Sequence, residues 1–198
     1  MALDFDAMKK EAILKKTKEF IAEKGMENFS MDKLAAYCGL AKGTFYNYFK
    51  SKDELLSRVV EFSVNDIWQV LIKETEKTES PEEKLRIVIK LSIEFFRDNR
   101  DILILYANEV KMSECVVPTE DSVHGQFMLN HLNRVFGLIK GIAESLGVSN
   151  NLDKLAFAIH ELLVNFNKYY IFYGKQADVE RDTDFLFNFI LKGMEGVK

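Results

Sequence analysis

The residue types that most often carry catalysis or bind metals are few in this chain of 198 residues, and they lie apart. The three histidines, His124, His131 and His160, show neither an HExxH spacing nor any other compact ligand set. Cys38 and Cys115 form no CxxC pair and read as small buried thiols. No GxSxG, P-loop or dinucleotide fingerprint occurs. The chain is therefore expected to be no enzyme and to need no metal or cofactor. One stretch does concentrate functional groups: KGTFYNYFKSKDELL, Lys42 to Leu56. Phe45, Tyr46, Tyr48 and Phe49 put four rings into five positions, and Lys42, Lys50 and Lys52 bracket them. Ammonium groups neutralise phosphates. A tyrosine can pack its ring at a rim while its hydroxyl bonds a phosphate oxygen.

Those groups need elements to hold them. At about 100° per residue on a helix, Phe45 and Phe49 share one face, and Gly43 and Asn47 point roughly the other way. The phenylalanines are expected in a core, and Tyr46 and Tyr48 toward a partner. Ser30 can cap a short helix with Leu34, Ala35 and Cys38 facing inward, and Gly39 allows a tight turn. A first helix from about Asp6 to Lys24, with Ile13, Thr17, Phe20 and Ile21 on one face, completes a three-helix unit. Helix, glycine turn, helix over Ser30 to Phe49 is the layout of a helix-turn-helix that binds DNA.

The run FSMDKLAAYCGLAKGTFYNYFKSKDELL, Phe29 to Leu56, resembles the DNA-binding signature of TetR-family transcriptional regulators. The glycine turn, the start of the recognition helix, the aromatic-Tyr-x-x-Phe ending and the Lys-x-Lys-x-Glu-Leu-Leu lead into the next helix all match. The resemblance covers about residues 10 to 60. It implies a homodimer whose two recognition helices enter successive major grooves of a near-palindromic operator. By position, it places Ser30 and Met31 near the DNA backbone. It puts Lys42, Gly43 and Thr44 at the start of the recognition helix, Tyr46 and Asn47 toward the groove, and Tyr48 and Lys52 on phosphates. Asp32 would set a carboxylate near the DNA, and reads as a residue favoured by the helix N-terminus.

The rest of the chain also reads as helix. The Ser51/Glu54 pair forms a capping box that opens a fourth helix to about Lys77, and Ser80-Pro81-Glu82-Glu83 opens another to about Asp98. Further helices are expected over Ile102–Met112, Asp121–Leu146, Leu152–Tyr173 and Glu180–Met194. The fold is thus all-α with about nine helices. It divides into a helix-turn-helix DNA-binding domain at residues 1–50 and a helical ligand-binding and dimerisation domain at residues 51–198, joined by the helix from Ser51. The last two helices are apolar on more faces than one chain can cover, which predicts a twofold interface through Leu155, Ile159, Leu162, Phe166, Phe185 and Phe189. The middle helices are expected to enclose a small-molecule pocket from Trp68, Phe96, Tyr106, Glu109, Phe127, His131 and Asn165. Its effector would be hydrophobic or aromatic, or cationic if Glu109 faces inward.

Composition agrees with this reading. Hydrophobic residues make up 47% and charged residues 29%, a globular balance. The formal net charge of −4 argues against a general polyanion binder. Residues 1–56 nevertheless carry 10 Lys/Arg against 9 Asp/Glu, whereas residues 57–198 carry 17 against 22. No apolar run is long enough to span a bilayer, and no signal-peptide core appears, so a cytoplasmic location is expected. The function expected is a sequence-specific transcriptional regulator, a ligand-released repressor. The alternatives are a helical small-molecule binding protein without operator binding, or a helical enzyme.

Overall fold

The computed structural model describes residues 5–109 and 123–196, which form nine α-helices and no strand. They are α1 (Phe5–Lys24), α2 (Met31–Tyr37), α3 (Lys42–Tyr48), α4 (Lys52–Thr75), α5 (Pro81–Asp98), α6 (Arg100–Glu109), α7 (Val123–Ser145), α8 (Leu152–Tyr173) and α9 (Val179–Glu195). A single 3-10 turn, Met26–Asn28, follows α1. Cys115, Pro118 and the side chains of Glu109 and His124 lie outside the described residues.

The chain forms two compact units. The first holds residues up to Asp66 together with a segment that starts at Asn99, so it includes α6 as well as α1 to α3. The second holds Ile67–Asp98 and the chain from α7 onward. α4 contributes residues to both.

In the first unit α1 buries Ile13, Thr17, Phe20 and Ile21, the face its spacing predicts. Thr17 is buried without cost because its hydroxyl donates to the Ile13 carbonyl at 2.8 Å. The Phe20 ring meets Phe29 and Tyr37 edge-on, at 6.2 and 5.3 Å between centroids. α6 packs against α1 and the 3-10 turn and buries Ile102, Leu105 and Tyr106.

The second unit closes around Leu85, Ile89 and Ile93 of α5, Ile139 and Ile142 of α7, Ala156 and Ile159 of α8, and Leu186 and Ile190 of α9. Polar ties mark the helix pairs. Lys140 pairs with Asp153 at 2.8 Å between α7 and α8, and Arg86 on α5 pairs with Asp184 on α9. Asn167, buried on α8, donates to the Leu163 carbonyl at 2.8 Å and to Ser92 of α5 at 3.4 Å.

The helix ends follow local chemistry. Glu54 N–H donates to the Ser51 hydroxyl at 3.1 Å, as a capping box requires. The return bond differs from the expectation: the Glu54 carboxylate accepts from the Lys50 amide at 2.7 Å, one residue earlier than Ser51. At Ser80 the hydroxyl accepts from the Glu83 amide at 3.2 Å and donates to Glu82 at 3.0 Å.

Candidate nucleic-acid interface

Three local features build the helix-turn-helix. Ser30, in extended conformation, caps α2 by accepting from the Lys33 amide at 3.3 Å. α2 ends in a Schellman arrangement: Leu40 N–H reaches the Ala35 carbonyl at 2.9 Å and Gly39 N–H the Ala36 carbonyl at 3.0 Å. That closure needs a left-handed residue, and Gly39 supplies it at φ 71°. α3 then begins at Lys42, directly after extended Ala41.

α3 divides into two faces. Phe45 is 0% exposed and Phe49, just past its end, 3%. Their rings lie 6.2 Å apart, in the same unit as buried Leu34, Leu55, Leu56 and Val59. On the other side Lys42, Gly43, Thr44, Tyr46 and Asn47 are all exposed, and Tyr48 is half-buried. A Cβ built on Gly43 would meet nothing within 4 Å, so the helix start is open to a close-approaching surface. The Lys50 ammonium, just past the end of α3, donates to the Asn47 carbonyl at 3.4 Å. The Lys52 ammonium lies 5.5 Å over the Phe29 ring.

Two positions differ from the sequence expectation. Met31 is only 8% exposed and belongs to the core, so it can offer a DNA backbone its amide and not its side chain. Asp32 does more than favour the α2 N-terminus: its carboxylate meets the Lys42 ammonium at 2.5 Å. The first residue of α3 is thus tied to the first turn of α2, and that hydrogen bond raises the Lys42 pKa. No spacing rule for a single helix reveals this pair, because it bridges two.

The expected pocket residues are divided between the two units. Tyr106 is buried within the first unit, and Asn165 is exposed, its amide donating to the Glu161 carbonyl at 2.8 Å. Phe96 is half-buried on α5 and meets Phe95 edge-on. Trp68, Phe127 and His131 are half-buried in the second unit. The Glu109 side chain lies outside the described residues. Among the described residues no group of three His, Cys, Asp or Glu side chains is placed to hold a metal, and no helix is long and apolar enough to cross a membrane.

The expected mating face also shifts. Ile159 is 3% exposed and sits in the core of the second unit, with Leu155, Leu162 and Phe166 packed against that core. The core of α5, α7 and α9 claims that side of α8. The rings left exposed are Phe157, Tyr169 and Tyr173 on α8 and Phe185 and Phe189 on α9. Phe185 stacks on both Phe166 and Phe189, at 6.0 and 6.4 Å, so the exposed rings continue from α9 onto α8.

A buried aromatic face, an open polar face and a basic start are the arrangement that the recognition helix of a DNA-binding helix-turn-helix requires. Residues 13–59 match the family model of bacterial regulatory proteins, tetR family. The chain is 31% identical over 121 residues to YerO, an uncharacterised HTH-type transcriptional regulator of Bacillus subtilis (strain 168). That match covers 60% of this chain and 40% of YerO, so the chain spans about two fifths of the length of that relative. Among solved structures, the regulator FadR from Bacillus subtilis in complex with stearoyl-CoA is 17% identical, with a TM-score of 0.68, over 91% of this chain and 97% of FadR. AibR in complex with isovaleryl coenzyme A and operator DNA is 15% identical, with a TM-score of 0.62, over 91% of this chain and 97% of AibR. At these identities the likeness is one of fold.

Proposed function

We propose that the protein is a sequence-specific DNA-binding transcriptional regulator, a homodimeric repressor released by a small molecule. The observation that carries this is the split of α3 into the buried pair Phe45 and Phe49 and the open face of Lys42, Gly43, Thr44, Tyr46 and Asn47. A helix that served only packing would not leave its basic, glycine-containing start clear of the protein. Lys42, Tyr48 and Lys52 act on phosphates, the Ser30 region positions α2 on the backbone, and Tyr46 and Asn47 face base edges.

The exposed rings of α8 and α9 support pairing with a second copy. Apolar surface of this kind, contiguous across two helices, suits a twofold four-helix interface. Two recognition helices related by that axis would read half-sites about one helical turn apart. The second unit is the effector-binding part in this reading. That FadR and AibR are seen with acyl-coenzyme A ligands, and AibR also with operator DNA, supports release by an effector with an apolar body. Release requires only that the effector bind the non-operator conformation more tightly than the operator-bound one.

Selection of duplexes from a random pool by the full chain tests the reading. A pseudo-palindromic consensus is expected. Recovery of no consensus would favour a helical binding protein that does not engage an operator.

A further inference from the structure

The Asp32–Lys42 pair stands on the side that α3 leaves open. The two side chains are 50% and 65% exposed, and their charged atoms meet at 2.5 Å. Lys42 begins α3, and exposed Gly43, Thr44, Tyr46 and Asn47 follow it. The space beside Gly43 is clear, so a partner can approach the helix start closely. Tyr46 is near enough to act on the Lys42 ammonium. A surface that meets Lys42 and Tyr46 therefore also meets the Asp32 carboxylate, although a carboxylate is the last group that a phosphate-rich partner should welcome.

On duplex DNA that carboxylate is unfavourable at most positions. Phosphates repel it, and a phosphate that takes Lys42 also removes its cation. An ionised aspartate accepts hydrogen bonds and cannot donate them, so it needs a donor on the DNA. The major groove offers two such groups, the N6 amino group of adenine and the N4 amino group of cytosine. They are not equivalent. The adenine amino group stands between two acceptors, its own N7 and the O4 of thymine. The cytosine amino group has the guanine O6 on one side and only a C–H on the other. A carboxylate over adenine faces lone pairs on both flanks, and over cytosine on one.

We propose that Asp32 is a base-reading residue that selects cytosine, through its N4 amino group, at one position of each half-site, while Lys42 passes from Asp32 to a neighbouring phosphate. At a matched site the cytosine amino group replaces the ammonium as the partner of the carboxylate, so Lys42 is released with little loss. At any other base the released carboxylate has no suitable donor, and the complex is weakened. One residue thus lowers affinity for random DNA and specifies one base pair of the operator. This inference rests on the chain being an operator-binding regulator, and deepens that reading by assigning part of what it reads.

Selection from random duplexes by the full chain, unaltered and with Asp32→Ala or Asp32→Asn, tests this. The unaltered protein should recover a consensus with a G·C pair at one position of each half-site, its cytosine always on the same strand. Replacing that pair by A·T should weaken the complex about ten-fold. Asp32→Ala should lose the preference at that position and keep it at the others. Asp32→Asn should move the preference to adenine, whose N6 and N7 an amide engages together. A substitution that merely loosened α2 would blur every position alike, so a change confined to one base separates reading from structure. If Asp32→Ala does not fold, as judged by its thermal melt, the shift to adenine with Asp32→Asn alone decides. A consensus without a fixed cytosine, one that neither substitution changes, or one that both blur evenly would overturn the assignment and leave the regulator reading standing. A pool with no consensus at all would overturn both.

Discussion

Phe45 and Tyr46 are adjacent in sequence and differ in every respect that matters, being 0% and 37% exposed. Phe45→Ala should therefore cost about 3–5 kcal/mol of stability, the range for a buried phenylalanine truncated in a packed core. Denaturant unfolding would show it. Tyr46→Ala should leave the unfolding midpoint unchanged and weaken binding to the selected duplex by about ten-fold, since only a contact with DNA is lost. Equal loss of stability in both variants would contradict the two-faced α3. Asp32 allows a separate test. Its carboxylate holds the Lys42 ammonium at 2.5 Å, so a phosphate must win Lys42 from it. Asp32→Asn should raise affinity for a random duplex several-fold at low salt. Fluorescence anisotropy checks this, and unchanged affinity would show that the pair dissolves at no cost. The division of rings was legible in the wheel positions of Phe45 and Phe49. The Asp32–Lys42 pair was not, because it depends on how α2 and α3 are set against each other.

At the scale of elements, the helices were legible because their punctuation is local. Gly39, the Ser51 cap and the Pro81 start each act within a turn of where they stand. Ser51→Ala should cost about 1 kcal/mol, measured by thermal unfolding, because the Glu54 amide loses its partner. The face that a helix buries is a different matter. α8 is apolar on several sides, and its sequence does not say which side its own unit claims. Ile159 went to the core, and Phe157, Tyr169 and Tyr173 stayed outside. The membership of α6 in the first unit is likewise invisible locally, since it rests on Ile102, Leu105 and Tyr106 meeting distant helices. The exposed rings of α9 carry the prediction here. Phe185→Glu with Phe189→Glu should convert a dimer to a monomer in sedimentation at micromolar concentration, with helix content retained. A dimer that persists would place the twofold contact elsewhere.

At the scale of the whole molecule, stability should fall in mild acid. His131 titrates near its ordinary 6.5 when unfolded and at about 4 when folded, so below pH 6.5 the unfolded chain takes up a proton that the folded one refuses. Among the described residues, the charged or titratable groups acting on it are His160 of α8 and Arg134 of its own helix, the latter over the Trp68 ring of α4. Stability contributed by the neutral ring is complete above pH 6.5 and is lost progressively as the pH falls toward 4. The ceiling is about 3 kcal/mol, and partial exposure reduces it. His131→Asn should flatten this part of the profile in denaturant unfolding at pH 7.5 and pH 5. An unchanged slope would assign the acid sensitivity to other groups. Neither Arg134 nor His160 stood out in the sequence, because their significance comes from converging on His131 across two helices. The central claim remains that α3 reads DNA, and a selection from random duplexes followed by gel shift at rising salt tests it most directly. The account predicts a near-palindromic consensus whose complex with the protein weakens steeply between about 50 and 200 mM salt, as phosphate contacts are screened. An unenriched pool, with no specific complex even at the lowest salt, would contradict it.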